Sequence, residues 1–176
     1  LDEVKTRNLG VSIPGVVGKL CGLLYADDLA LLVEGEDELQ VTLDCITEWC
    51  AENRMSTNAS KCAILAFGRE WEEATAELRK TEFLLEGKAV PVCTSYKYLG
   101  VTFSSNLDWT EEVNIRTQKG VKCLNMITPI LRNDRIKINI RLNYIKAVLI
   151  PVITYGSEVW YQNKPQIKAL ERLYLE

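Results

Sequence analysis

Histidine is absent from all 176 residues. Without it, no Ser-His or Cys-His nucleophile can be assembled. Six cysteines are present, Cys21, Cys45, Cys50, Cys62, Cys93 and Cys123, but no two are spaced as C-x-x-C. With no histidine to join them, a zinc site is not expected. They read as reduced, mostly buried small hydrophobes, which points to an intracellular protein of unspecified compartment. Long apolar runs are missing too. The longest uncharged one, Ala147–Tyr155, is interrupted by Pro151 and falls far short of the roughly 20 residues a spanning helix needs. No basic stretch followed by an apolar one opens the chain, so neither a signal peptide nor a membrane partner is expected.

Hydrophobic residues make up 47% of the chain, enough for a core. The net charge of −3 is unevenly spread: residues 1–109 carry a balance of −8 and residues 110–176 a balance of +5. A basic segment joined to an acidic one is compatible with phosphate contacts made by the C-terminal part, and equally with solvated helix faces.

Two adjacent carboxylates, Asp27 and Asp28, sit between the apolar runs Leu20–Tyr25 and Leu29–Val33. Two strands with a short connection read as a hairpin, with both aspartates at its tip. Aspartate favours turns in any case, but exposed hairpin turns prefer Asn-Gly or Asp-Gly, and no glycine follows. Adjacent carboxylates repel, so a site holding both ionised usually contains a cation. Mg²⁺, which takes oxygen ligands and bridges carboxylates to phosphates, is the candidate.

Glu36–Asn53 reads as the first strong helix. Leu39, Leu43, Ile46 and Cys50 share one face, with Trp49 beside them, and Glu36, Asp37 and Glu38 favour the helix dipole in the first turn. Val11–Ile13 and Val16–Tyr25 read as strands around a Pro14-Gly15 turn, and Cys62–Phe67 as another. Trp71–Lys80 is a surface helix or loop, and residues 83–92 a hairpin. Tyr96–Phe103 is a strand with Gly100 as a bulge or close-approach site. From Trp109 the pattern is helical: Val113, Val121, Leu124, Ile127 and Leu131 form one stripe. Ile136, Ile140, Tyr144, Ala147 and Val148 form a second that stops at Pro151, and Pro165 opens a third helix. The fold class is α+β, with a boundary near Ser104–Asn106: an α+β segment over 1–104 and a helical one over 105–176. Trp49, Trp109 and Trp160 read as core residues. Arg116, Lys119, Lys122, Arg132, Arg135, Lys137, Arg141 and Lys146 are the candidate nucleic-acid contacts.

Four signals follow one another in the chain: Tyr25-Ala26-Asp27-Asp28; Trp49-Cys50 with Asn58-x-x-Lys61; Tyr98-Leu99-Gly100; and Tyr155-Gly156-Ser157-Glu158-x-Trp160. Together they resemble the reverse transcriptase of non-LTR (LINE-like) retrotransposons, over about residues 11–175. The resemblance implies a partial polymerase palm, an antiparallel sheet with a packed helix, followed by a thumb-like helical segment after Trp109. It implies Asp27 and, more weakly, Asp28 as ligands of catalytic Mg²⁺, and Tyr25 near the growing primer end. Lys61 would assist the pyrophosphate leaving group, and Tyr98, Leu99 and Gly100 would form the primer-grip hairpin. The family usually has Thr or Ser after the motif lysine; Cys62 stands there. Two-metal nucleotidyl transfer needs carboxylates, metals and a cation, but no histidine.

On this resemblance the palm also needs an earlier carboxylate and fingers, and only 26 residues precede Asp27. The expectation is therefore the C-terminal half of such an enzyme, inactive alone, with RNA/DNA template-primer as its partner. The alternative is a non-catalytic, retroelement-derived binding or scaffold module in a nucleoprotein assembly. In both cases a truncated palm sheet exposes an edge or apolar face, so a protein or nucleic-acid partner is expected to cover it.

Overall fold

The apolar period beginning at Leu39 builds the helix on which the first part of the chain folds. This helix, α1 (Glu36–Glu52), buries Leu39, Thr42, Leu43, Cys45, Ile46 and Cys50, the face expected from the spacing. Thr42 is fully buried yet satisfied, because its hydroxyl donates to the Glu38 carbonyl at 2.7 Å. The computed structural model describes residues 9–160 and Lys168, so the expected helix at Pro165 lies outside the described residues. The chain divides into two units, Leu1–Tyr96 and Lys97–Glu176.

Among the described residues the strands form four separate two-stranded sheets: β1 (Val11–Ser12) with β2 (Lys19–Leu20), β3 (Gly22–Tyr25) with β4 (Asp28–Leu31), β5 (Leu84–Leu85) with β6 (Lys88–Ala89), and β7 (Ser95–Tyr98) with β8 (Val101–Ser104). Mixed helix and small antiparallel sheets fit the α+β expectation. Val16–Tyr25 is not one strand: Gly18 takes a positive φ of 88° and strand structure is interrupted at the buried Cys21. Cys62–Phe67 is not a strand either. Only Ile64 bridges, in parallel to Val92, because Ile64 N–H and C=O are taken by Pro91 and Cys93 while its neighbours run free of a ladder.

Against α1 pack Ile64, Phe83, Leu85 and Val90, with Leu29, Leu31 and Val33 at the margin. The Gln40 side chain stands in for a missing strand neighbour, donating to the Leu84 carbonyl at 3.0 Å and accepting from the Leu84 amide at 2.9 Å. Trp71–Leu78 forms the short helix α2. Phe83 is 1% exposed. Its replacement by alanine is expected to cost about 3–5 kcal/mol, read from the urea midpoint of unfolding.

The β1–β2 hairpin is tied down by charge. Ser12 N–H donates to Glu34 at 2.6 Å, Gly10 N–H to Glu38 at 3.4 Å, and Lys19 pairs with both carboxylates. The amides of Ser12 and Gly10, reinforced by Lys19, hold Glu34 and Glu38 below the ordinary glutamate pKa. Carboxyls depressed in the folded state contribute stability above the unfolded pKa and lose it as pH falls through the folded one. Amide protection at Gly10 and Ser12 should therefore vanish on acidification below the ordinary glutamate range. In Lys19→Gln the loss should come at higher pH. A pH-independent protection profile would contradict this.

In the second unit, α3 (Thr110–Leu131) carries Val113, Cys123 and Ile127 into a core with Val101, Leu149, Ile153 and Trp160. Asp108 accepts from the Thr110 amide and hydroxyl at the start of this helix. Helix α4 (Ile138–Tyr144) passes into a π turn, Ile145–Leu149, and then α5 (Ile150–Ile153). The expected stop at Pro151 does not occur. A proline ring collides with the carbonyl four residues back in a regular helix; the wider π turn relieves that collision, and the helix runs on to Ile153. Among the described residues, no helix is long and apolar enough to cross a membrane.

A short helix, α6 (Ser157–Trp160), follows Gly156. Gly156 has φ +70°, and a Cβ there would lie 2.6 Å from Val101 Cγ2. Gly156→Ala should therefore cost about 1–3 kcal/mol through strain and overpacking, measurable by thermal unfolding. Trp160 is buried, and Trp109 packs edge-on to Phe103, but Trp49, expected in the core, is 40% exposed. It lies on the flank of the α1 stripe, not within it.

Candidate nucleotidyl-transfer site

In the hairpin β3–β4, Tyr25 pairs with Asp28, Leu24 with Leu29, Leu23 with Ala30 and Gly22 with Leu31. Ala26 and Asp27 are thus the two-residue loop. Ala26 has φ 53°, the left-handed conformation a tight hairpin loop demands at this place. Only Asp27 is at the tip; Asp28 opens the return strand, which corrects the expectation of both at the turn. Alternation places Leu29 and Leu31 against the α1 core, while Asp28 shares the other face with Tyr25 and Leu23. Asp27, Asp28, Tyr25, Leu23 and Leu24 are all exposed. The hairpin is therefore an anchored display of two carboxylates flanked by bare apolar side chains, and among the described residues it has no third strand.

Lys61 ends a 3-10 turn, Ala59–Lys61, and is exposed. Its backbone carbonyl accepts a hydrogen bond from the Tyr96 hydroxyl. Burial raises the Tyr96 pKa, and the nearby Cys62, Cys93 and Asp28 add to it. Tyr96 therefore braces the lysine loop through its hydroxyl and feels the charge of Asp28. Sequence reasoning gave Tyr96 no role beyond β-forming. The alternation Tyr96–Lys97–Tyr98, with Lys97 exposed and the tyrosines half-buried, was its only signal.

Among the described residues no three acidic or cysteine side chains converge on one point. Two aspartates still suit Mg²⁺ as a partial ligand set, since that ion keeps waters and phosphate oxygens in its remaining positions.

In the second unit, Tyr98-Leu99-Gly100 is a hairpin turn, not a bulged strand. Leu99 and Gly100 have φ 46° and 81°, the pair of positive values a type I′ loop requires. The close-approach alternative for Gly100 is also met: a Cβ there would lie 3.2 Å from the Tyr155 ring. Tyr155 OH donates to the Leu99 carbonyl at 3.0 Å, and Trp160 Nε1 donates to the Tyr155 carbonyl at 3.1 Å. The third and fourth sequence signals, far apart in the chain, are one spatial unit.

Arg116, expected on the surface, is 3% exposed. It pairs with the fully buried Glu112 at 2.5 Å, donates to the Gly100 carbonyl at 2.5 Å, and lies 4.7 Å from the Tyr155 ring centre. Its ionic partner sits one helical turn back at i−4, where opposite charges meet. Lys119, Lys122 and Arg135 are exposed. Partial burial and the neighbouring Arg116 and Lys97 charges hold the Lys119 pKa below the ordinary lysine value. Arg141 is half-buried and donates to the Leu131 carbonyl at 2.9 Å, where a cation complements the end of α3.

Residues 2–103 match the family model described as reverse transcriptase (RNA-dependent DNA polymerase). The chain belongs to the reverse transcriptase family. Among its relatives is the RNA-directed DNA polymerase from mobile element jockey of Drosophila melanogaster, 27% identical over 77% of this chain and 15% of the relative. The retrovirus-related Pol polyprotein from type-1 retrotransposable element R2 of Popillia japonica is 27% identical over 90% of this chain and 26% of the relative. The corresponding R1 2 polyprotein of Nasonia vitripennis is 20% identical over 86% of this chain and 40% of the relative. The chain thus spans less than half the length of each of these relatives. No solved structure matches it.

Proposed function

We propose that this chain is part of an RNA-directed DNA polymerase of the non-LTR retrotransposon type. Residues 1–104 are part of its palm and 105–176 a thumb-like segment. The observation that carries this is the β3–β4 hairpin: its core face is fixed on α1 while Asp27 and Asp28 are held in solvent. Asp27, with Asp28 in support, would hold Mg²⁺, which when bound neutralises triphosphate charge during nucleotidyl transfer. Lys61, on its Tyr96-braced loop, would attract the leaving pyrophosphate. Tyr25 would lie by the primer end. Lys119, Lys122 and Arg135 supply exposed positive charge, and Arg141 half-buried charge, for the template-primer backbone.

On this reading a two-metal site needs a further carboxylate beside Asp27 and Asp28, and the fingers with it, as part of a longer polymerase carrying these residues. The bare Leu23, Leu24 and Tyr25 would be covered by the rest of that polymerase, a protein or nucleic acid. Primer extension with Mg²⁺ and deoxynucleoside triphosphates tests the reading: this chain alone should give no product, whereas a longer polymerase carrying it should be active. The second reading, a non-catalytic binding module, is favoured by the same two-carboxylate count. Activity of the longer protein that survives Asp27→Ala with Asp28→Ala would establish it in place of the first.

A further inference from the structure

We propose that Arg116, Glu112 and Tyr155 are positioning residues for the Leu99–Gly100 turn, holding it in the shape that meets the primer strand; this rests on reading that turn as the primer contact. Leucine at φ 46° is a strained conformation that persists only where its surroundings over-determine it. Here they do. Both carbonyls of the loop are taken by side chains from outside the hairpin: that of Leu99 by the Tyr155 hydroxyl, and that of Gly100 by the Arg116 guanidinium. The hairpin ladder does not need either bond.

Each clamp is itself oriented. The Arg116 fork is fixed by Glu112 on one side and lies against the Tyr155 ring. The second oxygen of Glu112 accepts the Thr102 amide at 2.8 Å, so one buried carboxylate holds both the arginine and the strand that leaves the turn. Tyr155 is anchored through its own carbonyl to Trp160. An exposed two-residue loop would otherwise have to be ordered on each encounter with a strand. A loop fixed from three directions meets it pre-organised, which lowers the ordering cost of binding. The side chain presented is that of Leu99, 36% exposed at the apex.

The test places a benzoylphenylalanine at position 99 of the full chain and irradiates it with a 3′-recessed RNA–DNA primer-template. Overall affinity is followed by fluorescence anisotropy. The unsubstituted clamp should give cross-links confined to the last primer nucleotides. Tyr155→Phe keeps the ring over Arg116 and removes only the hydroxyl; Arg116→Lys keeps the charge and removes the fork. Each should weaken or scatter those cross-links about five-fold, the scale of one lost hydrogen bond, with little change in anisotropy. If both variants retain Thr102 amide protection and give the parental pattern, the positioning role is overturned. If the parental chain binds but never cross-links to primer, or does not bind at all, the primer-contact reading falls, and the role argued from it falls too. Tyr155 is 51% exposed, so its phenylalanine variant keeps the test open if the arginine variant fails to fold.

Discussion

Replacing Arg116 by methionine is expected to destabilise the second unit by about 3–5 kcal/mol, the cost of leaving a buried charge without its partner. Glu112 is the orphan: it has no solvent exposure, and after the change only the Thr102 amide remains to it. An unpaired charge left in the interior in this way draws water into the core. Combining Arg116→Met with Glu112→Gln should recover most of the loss. Glutamine still accepts the Thr102 amide, and a neutral pair can replace a buried ion pair at little cost. Protection of the Thr102 amide against hydrogen exchange in increasing urea measures both. A single change costing under about 1 kcal/mol, the value of a surface pair, would mean that the site admits water freely.

Asp27→Asn in a longer polymerase containing this chain should lower nucleotide incorporation about 10³-fold, corresponding to about 4 kcal/mol of transition-state stabilisation lost with a metal ligand. Asp28→Asn should cost less. The difference has a structural basis: Asp27 occupies the loop itself, whereas Asp28 sits in the ladder opposite Tyr25. Neither change should disturb folding, because both side chains are exposed and the hairpin is anchored through Leu29 and Leu31. Single-turnover incorporation rates separate this effect from template-primer affinity. Equal losses at the two positions would refute the ranking, and no loss at either would favour the non-catalytic module.

How far the chain could be read in advance depended on the range of each signal. The buried face of α1 was legible because helical periodicity repeats every three to four residues, and Leu39, Leu43, Ile46 and Cys50 satisfy it without help from elsewhere. The Asp-Asp hairpin was legible for the same reason: two apolar runs and a polar break are local. Its register was not, and one residue of register moves Asp28 from the tip into the strand. The Cys62–Phe67 run looked like a strand because its residues favour one, but a strand needs a neighbour, and only Ile64 finds a partner. Trp49 was assigned to the core by residue type, but its place just off the helical stripe leaves it open to solvent.

By itself, the sequence determined the family, through motifs whose residues must stand in order, and the α+β character, through its local periods. It also determined the display of two carboxylates on a hairpin. Only the tertiary structure decided what Arg116, Tyr96 and Tyr155 do. Arg116 stands among basic residues that are otherwise mostly exposed, and nothing within a helical turn separates it from a solvated arginine except Glu112. Its burial comes from Gly100 and Tyr155. The Tyr155 hydroxyl meets Leu99 across 56 positions and the Tyr96 hydroxyl meets Lys61 across 35. Hydrogen bonds closed over such separations leave no periodic trace in the chain, since their partners are brought together by the packing of whole elements.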